Sequence, residues 1–153
     1  MLGDPRLYQV SHEIGREDLD DVREWALGLD QVILEFRGRY NAGRAIAAPQ
    51  MGIFKRLVCL HLDAPVVMIN PQLSDLSEEM IEVWDDCMCF PNLLVKVRRH
   101  RYCTLRFLDL HWSEQIWKLS DSLSELLQHE TDHLDGILAT QRAIDAFAWR
   151  WRA

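Results

Sequence analysis

The chain of 153 residues has no long hydrophobic run, no excess of basic residues and no internal repeat. No stretch approaches the roughly 18 apolar residues that a membrane-spanning helix requires, so we expect no membrane contact. The formal net charge of -7 argues against direct nucleic-acid binding, because phosphate binding needs clustered Lys and Arg. The basic cluster KVRRHR, residues 96–101, is interpreted as a solvated strand edge.

The N-terminal residues MLGDPRLYQV lack the basic and apolar regions of a signal peptide, so we expect a cytoplasmic protein. In that compartment the four cysteines are expected to be core thiols or metal ligands rather than disulfides. The length and the 48% of hydrophobic residues fit one globular domain that spans residues 1–153.

The hydrophobic pattern predicts two helices and several short strands. A helical period predicts the first helix at residues 17–39. The second is expected to be capped by Ser120 or Ser122, with Ser122 and Glu125 at capping-box spacing, and to end at Gly136. Strands are predicted at residues 56–62, 66–69, 81–84, 93–97 and 102–108, and further helical turns at 143–151. The sum is an α+β fold of short, mostly antiparallel strands around the late helix.

That late helix carries HETDH, residues 129–133. His129 and His133 are four residues apart, so both imidazoles lie on one helical face and can bind one cation. Glu130 borders that face and can act on metal-bound water instead of binding the metal. Because no His, Cys or Glu follows His133, the third ligand is expected upstream, where Cys87 and Cys89 are the better candidates.

The segment GRAIAAPQMG, residues 43–52, combines a glycine turn with small residues and one glutamine. Small residues permit a close backbone approach, and the Gln50 amide can donate to a developing oxyanion. A strand followed by a turn is the simpler interpretation of this segment.

Together these segments resemble the motifs of the peptide deformylase family, which run G-x-G-x-A-A-x-Q, E-G-C-L-S and H-E-x-D-H in that order. Here they read GRAIAAPQ (43–50), DDCMC (85–89) and HETDH (129–133). The likeness extends to GDPRL near the start, MINP (68–71) and HLDG (133–136). The resemblance implies a hydrolase that removes the N-formyl group from the N-terminal formyl-methionyl residue of peptides and nascent proteins and releases formate.

The resemblance also implies roles for individual residues. Cys87, His129 and His133 would bind one divalent metal, Fe2+ in most members, with Zn2+, Ni2+ or Co2+ able to replace it. Glu130 would take a proton from the attacking water and later give one to the leaving amine. The Gln50 amide and the Met88 backbone N–H would hold the oxyanion that forms from the formyl carbonyl.

The sequence departs from the family motifs around the expected substrate pocket. Asp85, Asp86 and Cys89 replace Glu, Gly and Ser, and Ala45 replaces the second Gly. The expected substrate-binding residues are Gly43, Arg44, Ala45, Asp85, Asp86, Glu125 and Leu126. Arg44, Asp86 and Glu125 either line the entrance with charge, which would move the preference away from formyl-methionine, or pair with one another as a surface salt-bridge group.

Two further functions remain open at this point. One is an amidase of the same chemistry that acts on a different N-formyl or N-acyl small molecule or peptide. The other is a structural zinc protein, in which Cys87, Cys89, His129 and His133 close a Cys2His2 site with no open position. A structural site needs neither Glu130 nor Gln50, so their presence argues against it.

The tail AFAWRWRA carries two arginines and two tryptophans. Some deformylases use a longer basic C-terminal helix to reach the ribosome, and this tail offers little for that. We therefore expect at most a transient contact with the ribosome. Trp149 and Trp151 are interpreted as packing or contact residues.

Overall fold

The computed structural model describes residues 1–152. In this range it has two α-helices, α1 (Leu19–Tyr40) and α2 (Asp121–Leu134). Its eight strands are β1 (Ala45–Ala47), β2 (Leu57–His61), β3 (Pro65–Ser74), β4 (Met80–Asp86), β5 (Leu93–His100), β6 (Tyr102–Leu108), β7 (Glu114–Ser120) and β8 (Trp149–Trp151). Within residues 1–152, no helix combines the length and the apolarity that crossing a membrane requires.

The strands form two sheets, and neighbouring strands in each run antiparallel. The larger sheet has the order β1-β2-β3-β6-β7, and the smaller has the order β4-β5-β8. The predicted α+β class is confirmed, and β6 has the predicted bounds. Strand β3 continues past its predicted end at Ile69, through an irregular register between Ile69 and Gln72. Such an irregularity accommodates Pro71, which cannot donate to a regular ladder.

Strand β2 is buried on both faces, because each face packs against a different helix. Leu57 and Cys59 join the core beneath α1, whereas Val58 and Leu60 join the core beneath α2. Full burial of one aliphatic side chain contributes about 1.5–3 kcal/mol. The continuous apolar run of β2 therefore fixes the larger sheet between the two helices.

Helix α2 ends where the sequence predicts but begins differently. Gly136 adopts a left-handed φ of 71°, and its N–H donates to the His133 carbonyl at 3.2 Å. Ser120 occupies the N-cap position, as predicted, but it makes no side-chain capping hydrogen bond, and the predicted cap at Ser122 is wrong because Ser122 lies inside the helix. Glu125 accepts instead from Arg44 Nη2 at 2.9 Å, so a long-range ion pair takes the place of the capping box.

The tail forms strand β8, so the prediction of helical turns at residues 143–151 is wrong. Trp149, Arg150 and Trp151 pair with Val95, Leu94 and Leu93 of β5. Pairing with the free edge of β5 satisfies more backbone groups than one isolated helical turn would. Arg150 also lies 4.1 Å above the ring of Trp84. Trp151 is 76% exposed, so it does not pack in the core.

Candidate active site

Helix α2 presents two histidines to the interior of the protein. His129 and His133 lie one turn apart and are 4% and 1% exposed. Their Nε2 atoms are 3.1 Å apart, and the two rings meet edge to face. The structure therefore brings both predicted nitrogen ligands to one point.

Cys87 reaches the same point from the turn that follows β4. Its sulfur lies 3.2 Å from His133 Nε2, and burial raises the pKa of its thiol well above the ordinary value. Of the two cysteines left open as upstream ligands, Cys87 thus makes direct contact with His133. Cys89 lies nearby, and a hydrogen bond from the Cys87 thiol lowers its pKa to about 7.

Gln50 is held in the short 3-10 turn Ala48–Met51. Its Oε1 accepts from the Ala47 backbone N–H at 2.9 Å, which directs the amide nitrogen toward the cysteines. That nitrogen lies 3.6 Å from each of the Cys87 and Cys89 sulfurs. The strand-and-turn interpretation of residues 43–52 and the interpretation of Gln50 as a site residue are therefore compatible, because β1 and its turn place the amide at the cluster.

Glu130 lies beside the histidines and is 3% exposed. Burial raises the pKa of its carboxyl to about 7, and its Oε2 has no hydrogen-bond partner in the described residues. A buried carboxyl group without a structural partner is suited to accept and release a proton near neutral pH.

Asp85 lies next to His129, on the far side of the ring from the cluster, and not at the edge of the substrate pocket. It is 5% exposed, and its Oδ1 lies 2.8 Å from His129 Nδ1. Burial alone would raise the pKa of Asp85, but the charges of His129 and Arg99 lower it to about 2. The Asp85 charge in turn outweighs burial at His129 and raises its pKa to about 9. The Asp85 carboxylate thus lies against Nδ1, whereas Nε2 of the same ring faces the cluster.

Arg99 was missed by the sequence interpretation, which placed residues 96–101 on a solvated edge. It is 3% exposed, and it donates to Asp85 Oδ2 at 2.9 Å and to Asp132 Oδ2 at 2.5 Å. Arg142 donates to the other Asp132 oxygen at 2.7 Å. The solvated-edge interpretation is therefore wrong for Arg99, which joins α2, β4 and β5 through buried charge.

A cavity of about 40 Å³ opens at the cluster. Its lining comprises Phe36, Gly43, Arg44, Ala45, Gln50, Asp86, Cys87, Met88, Leu126, His129 and Glu130. A water molecule needs about 10–15 Å³ of such volume, so the cavity has room for roughly three. A larger cavity of about 590 Å³ lies elsewhere along α2, and neither histidine nor Cys87 lines it. The small cavity is the candidate site because, of these two cavities, only the small one is lined by Cys87, His129 and Glu130.

The charged residues predicted at the entrance separate into two pairs. Arg44 binds Glu125, whereas Asp86 accepts from Arg152 Nη2 at 2.6 Å. Arg44 and Asp86 still line the cavity, but Asp85 and Glu125 lie outside its lining. The prediction that Asp85 lies at the pocket edge is wrong, because its carboxylate is used by His129 and Arg99.

The polypeptide deformylase family model matches residues 1–147. The chain belongs to the peptide deformylase family. These enzymes are metal-dependent hydrolases that remove the formyl group from N-formyl peptides, as the motif resemblance predicted. Peptide deformylase from Synechocystis sp. is 32% identical over 154 residues, which cover 96% of this chain and 79% of the relative. Peptide deformylase from Dictyoglomus thermophilum is 29% identical and covers 94% of this chain and 90% of its own length.

Solved peptide deformylases share the fold. The Synechococcus elongatus enzyme in complex with actinonin has a TM-score of 0.87 at 28% identity and covers 96% of this chain and 78% of its own. The Acinetobacter baumannii enzyme bound to Met-Ala-Ser has a TM-score of 0.83 at 26% identity, with coverages of 92% and 94%. The deformylase fold therefore extends over nearly all of this chain.

The donor set of this deformylase fits a divalent metal. Bonds of about 2.0–2.1 Å to nitrogen and 2.3 Å to sulfur place tetrahedral ligand atoms roughly 3.3–3.6 Å apart. The observed separations are 3.1 Å between the two histidine nitrogens and 3.2 Å from Cys87 sulfur to His133 nitrogen. Two of the three separations among these donor atoms are thus close to ligand geometry.

Proposed function

We propose that this deformylase holds Fe2+ through Cys87, His129 and His133 and hydrolyses the formyl amide of N-formyl peptides at the cavity that Glu130 lines. The observation that carries the proposal is the buried Glu130 carboxyl group, which borders the ligand cluster with one oxygen unpartnered. Zn2+, Ni2+ and Co2+ suit the same donors. When bound, the metal supplies Lewis acidity, which lowers the pKa of coordinated water.

The protein residues divide the proton and charge chemistry between them. Glu130 accepts a proton from the attacking water and returns it to the amine as the amide C–N bond breaks, so that formate and a free amino terminus result. The Gln50 amide, oriented by the Ala47 N–H, donates to the oxygen that becomes negative. Met88 lines the same cavity directly after Cys87, and we assign its backbone N–H to the same oxygen.

The test combines formate release with metal content. Protein purified without oxygen, which protects a thiolate-bound iron, is expected to release formate from formyl-Met-Ala. Glu130→Ala should lower kcat at least about 100-fold, the usual contribution of a general acid–base group, while bound metal stays stoichiometric. Glu114→Ala, which removes an exposed acid of β7, is the matched control and should leave both values unchanged. Undiminished turnover by Glu130→Ala would contradict the assigned role.

A second candidate concerns the first residue of the substrate. The Arg44–Glu125 ion pair lies next to the cavity, with Ser122 Oγ 3.5 Å from Arg44 Nη1. An apolar methionine side chain gains little beside such a wall, whereas a polar one can exchange hydrogen bonds with it. The same deformylation chemistry on N-formyl peptides with a polar first residue is therefore the alternative.

The ratio of kcat/KM for formyl-Met-Ala to formyl-Ser-Ala distinguishes the two substrates. A polar preference predicts that formyl-Ser-Ala is favoured and that Arg44→Leu combined with Glu125→Leu shifts the ratio toward formyl-Met-Ala. A clear preference of the unmodified protein for formyl-Met-Ala would refute the alternative and retain the main proposal. Any ribosome contact is proposed to be transient, since the tail is engaged in β8.

A further inference from the structure

A second cavity of about 350 Å³, called the side cavity below, adjoins the candidate active-site cavity. Gly43, Arg44 and Asp86 line both cavities, so the two meet along a common wall. The volume of the side cavity lies within the range of about 300–1,000 Å³ that is usual for ligand pockets. The proposed deformylation chemistry leaves the side cavity without a role.

The side cavity is positively charged, in a chain whose formal net charge is -7. Its lining includes three arginines, Arg37, Arg44 and Arg152, and one acid, Asp86. Arg152 pairs with Asp86 at 2.6 Å, and Arg44 pairs with Glu125 at 2.9 Å. Arg37 forms no ion pair with any acid in the described part of the chain, so its charge is the one left over.

The Arg37 guanidinium is held by backbone carbonyls instead of a carboxylate. Its Nε donates to the Gly43 carbonyl at 3.1 Å, and its Nη2 donates to the His61 carbonyl at 2.6 Å. These two bonds orient the group, but neutral carbonyls do not cancel its charge. A guanidinium has five N–H donors, so the remaining donors of Arg37 can bind a carboxylate.

The size of the active-site cavity determines where the rest of a substrate can go. At about 40 Å³ it has room for only a few water molecules, so a peptide bound at the reacting groups extends beyond it. The common wall leads from this cavity into the side cavity. In an extended peptide each residue advances by about 3.3 Å, so the second and third residues are the ones that we place there.

We propose that the side cavity selects N-formyl peptides that carry an acidic side chain at the second or third residue, which Arg37 binds. This selection rests on the proposed deformylase function and adds the charge of a later substrate residue to it. The contact lies away from the amide bond that breaks, so it stabilises the substrate and the transition state equally. It therefore lowers KM and leaves kcat unchanged.

Three peptides with amidated C termini isolate the effect of charge: formyl-Met-Glu-Glu, formyl-Met-Gln-Gln and formyl-Met-Lys-Lys. Amidation removes the terminal carboxylate, and Gln has the shape of Glu without its charge. KM for the Glu peptide should be at least about threefold lower than KM for the Gln peptide, the size expected for a partly exposed ion pair. KM for the Lys peptide should be the highest of the three. Equal KM values for the Glu and Gln peptides would overturn the proposal.

Substitution of Arg37 tests which side chain carries the selection. Arg37→Met should abolish the KM difference between the Glu and Gln peptides, whereas Arg37→Lys, which keeps the charge, should retain most of it. Arg39→Met is the matched control on α1, because Arg39 is exposed, stacks on the ring of Tyr40 and lies outside the lining of the side cavity. Circular dichroism checks folding, and a folded Arg37→Met protein with the full KM difference would also overturn the proposal. If Arg37→Met does not fold, the KM values of the unmodified protein decide.

The same peptides separate this selection from the proposed function. Hydrolysis of all three peptides with equal KM values removes the selection and keeps the deformylase. If the protein hydrolyses none of them, the proposed function fails, and calorimetry of the intact peptides then decides the selection. In that case a lower Kd for the Glu peptide than for the Gln peptide supports the selection, and equal Kd values overturn it.

Discussion

The buried guanidinium of Arg99 offers a sharp test of how the metal-binding helix is held. Arg99→Met keeps much of the aliphatic volume but removes the charge. The change leaves Asp85 and Asp132, which are 5% and 8% exposed, without their shared cation. Breaking a buried pair by removing one partner costs about 3–5 kcal/mol. A domain of this kind has a total free energy of unfolding of roughly 5–15 kcal/mol, so about a fifth or more of its stability is at stake.

Arg98→Met is the matched control on the same strand. The Arg98 side chain is 58% exposed and pairs with Glu82 at the surface, where such pairs contribute about 0–1 kcal/mol. Urea unfolding of the metal-free proteins compares the two variants. With slopes of about 1–3 kcal/mol per molar urea, the Arg99→Met midpoint should fall by about 1 M or more.

Metal affinity provides a second measurement on the Arg99 variant. Because Arg99 holds Asp85 against His129, its loss should weaken metal binding by about 10–100-fold. If Arg99→Met and Arg98→Met changed the free energy of unfolding by the same small amount, the reasoning from burial would be refuted.

Two further predictions concern sites away from the metal. Gly136→Ala should destabilise the protein by about 1–3 kcal/mol, because φ is 71° and the added Cβ would lie 2.5 Å from the Tyr8 carbonyl oxygen. Gly38→Ala, where a Cβ meets no atom within 4 Å, should instead be stabilising by about 0.5–1 kcal/mol in thermal unfolding; equal effects would contradict this account. Burial raises the pKa of Cys59 from 9.0 to about 12, so the thiol ionises at a lower pH in the unfolded chain than in the folded protein. The free energy of unfolding should therefore fall as the pH rises through that range. Cys59→Val should flatten this decline in urea titrations, and an unchanged slope would argue against the shift.

The catalytic helix could be predicted from the sequence because its signals are local. The i, i+4 spacing of His129 and His133 fixes their shared face, and the left-handed Gly136 ends the helix after them. The assignment of Cys87 needed only the order of motifs along the chain. In the structure, His133 contacts both Cys87 and His129.

The supporting charges could not be found from the same patterns. In β5, the alternation of Val95, Val97 and Arg99 places Arg99 on the buried face, and this period-two signal was available. The acidic partners of Arg99 could not be predicted from the sequence, because Asp85 lies on β4 and Asp132 on α2. Pairing between elements that are distant in sequence is a tertiary property. Likewise, the alternating residues Trp149–Trp151 form a strand because they pair with the edge of β5, and the local sequence does not show that edge.

Strand β8 and the residue after it, Arg152, contact the turn that carries Cys87, and this contact bears on the order in which the site forms during synthesis. Arg152 donates from its backbone to the Asn92 carbonyl and from its side chain to the Pro91 carbonyl and Asp86, on both sides of Cys87. Translation delivers Cys87 first, the two histidines some forty residues later, and Arg152 after all of them. The nascent chain can therefore bring the three proposed ligands together before Arg152 is available to hold the turn that carries Cys87. The turn that carries Cys87 is fully held only after β8 and Arg152 have been synthesised.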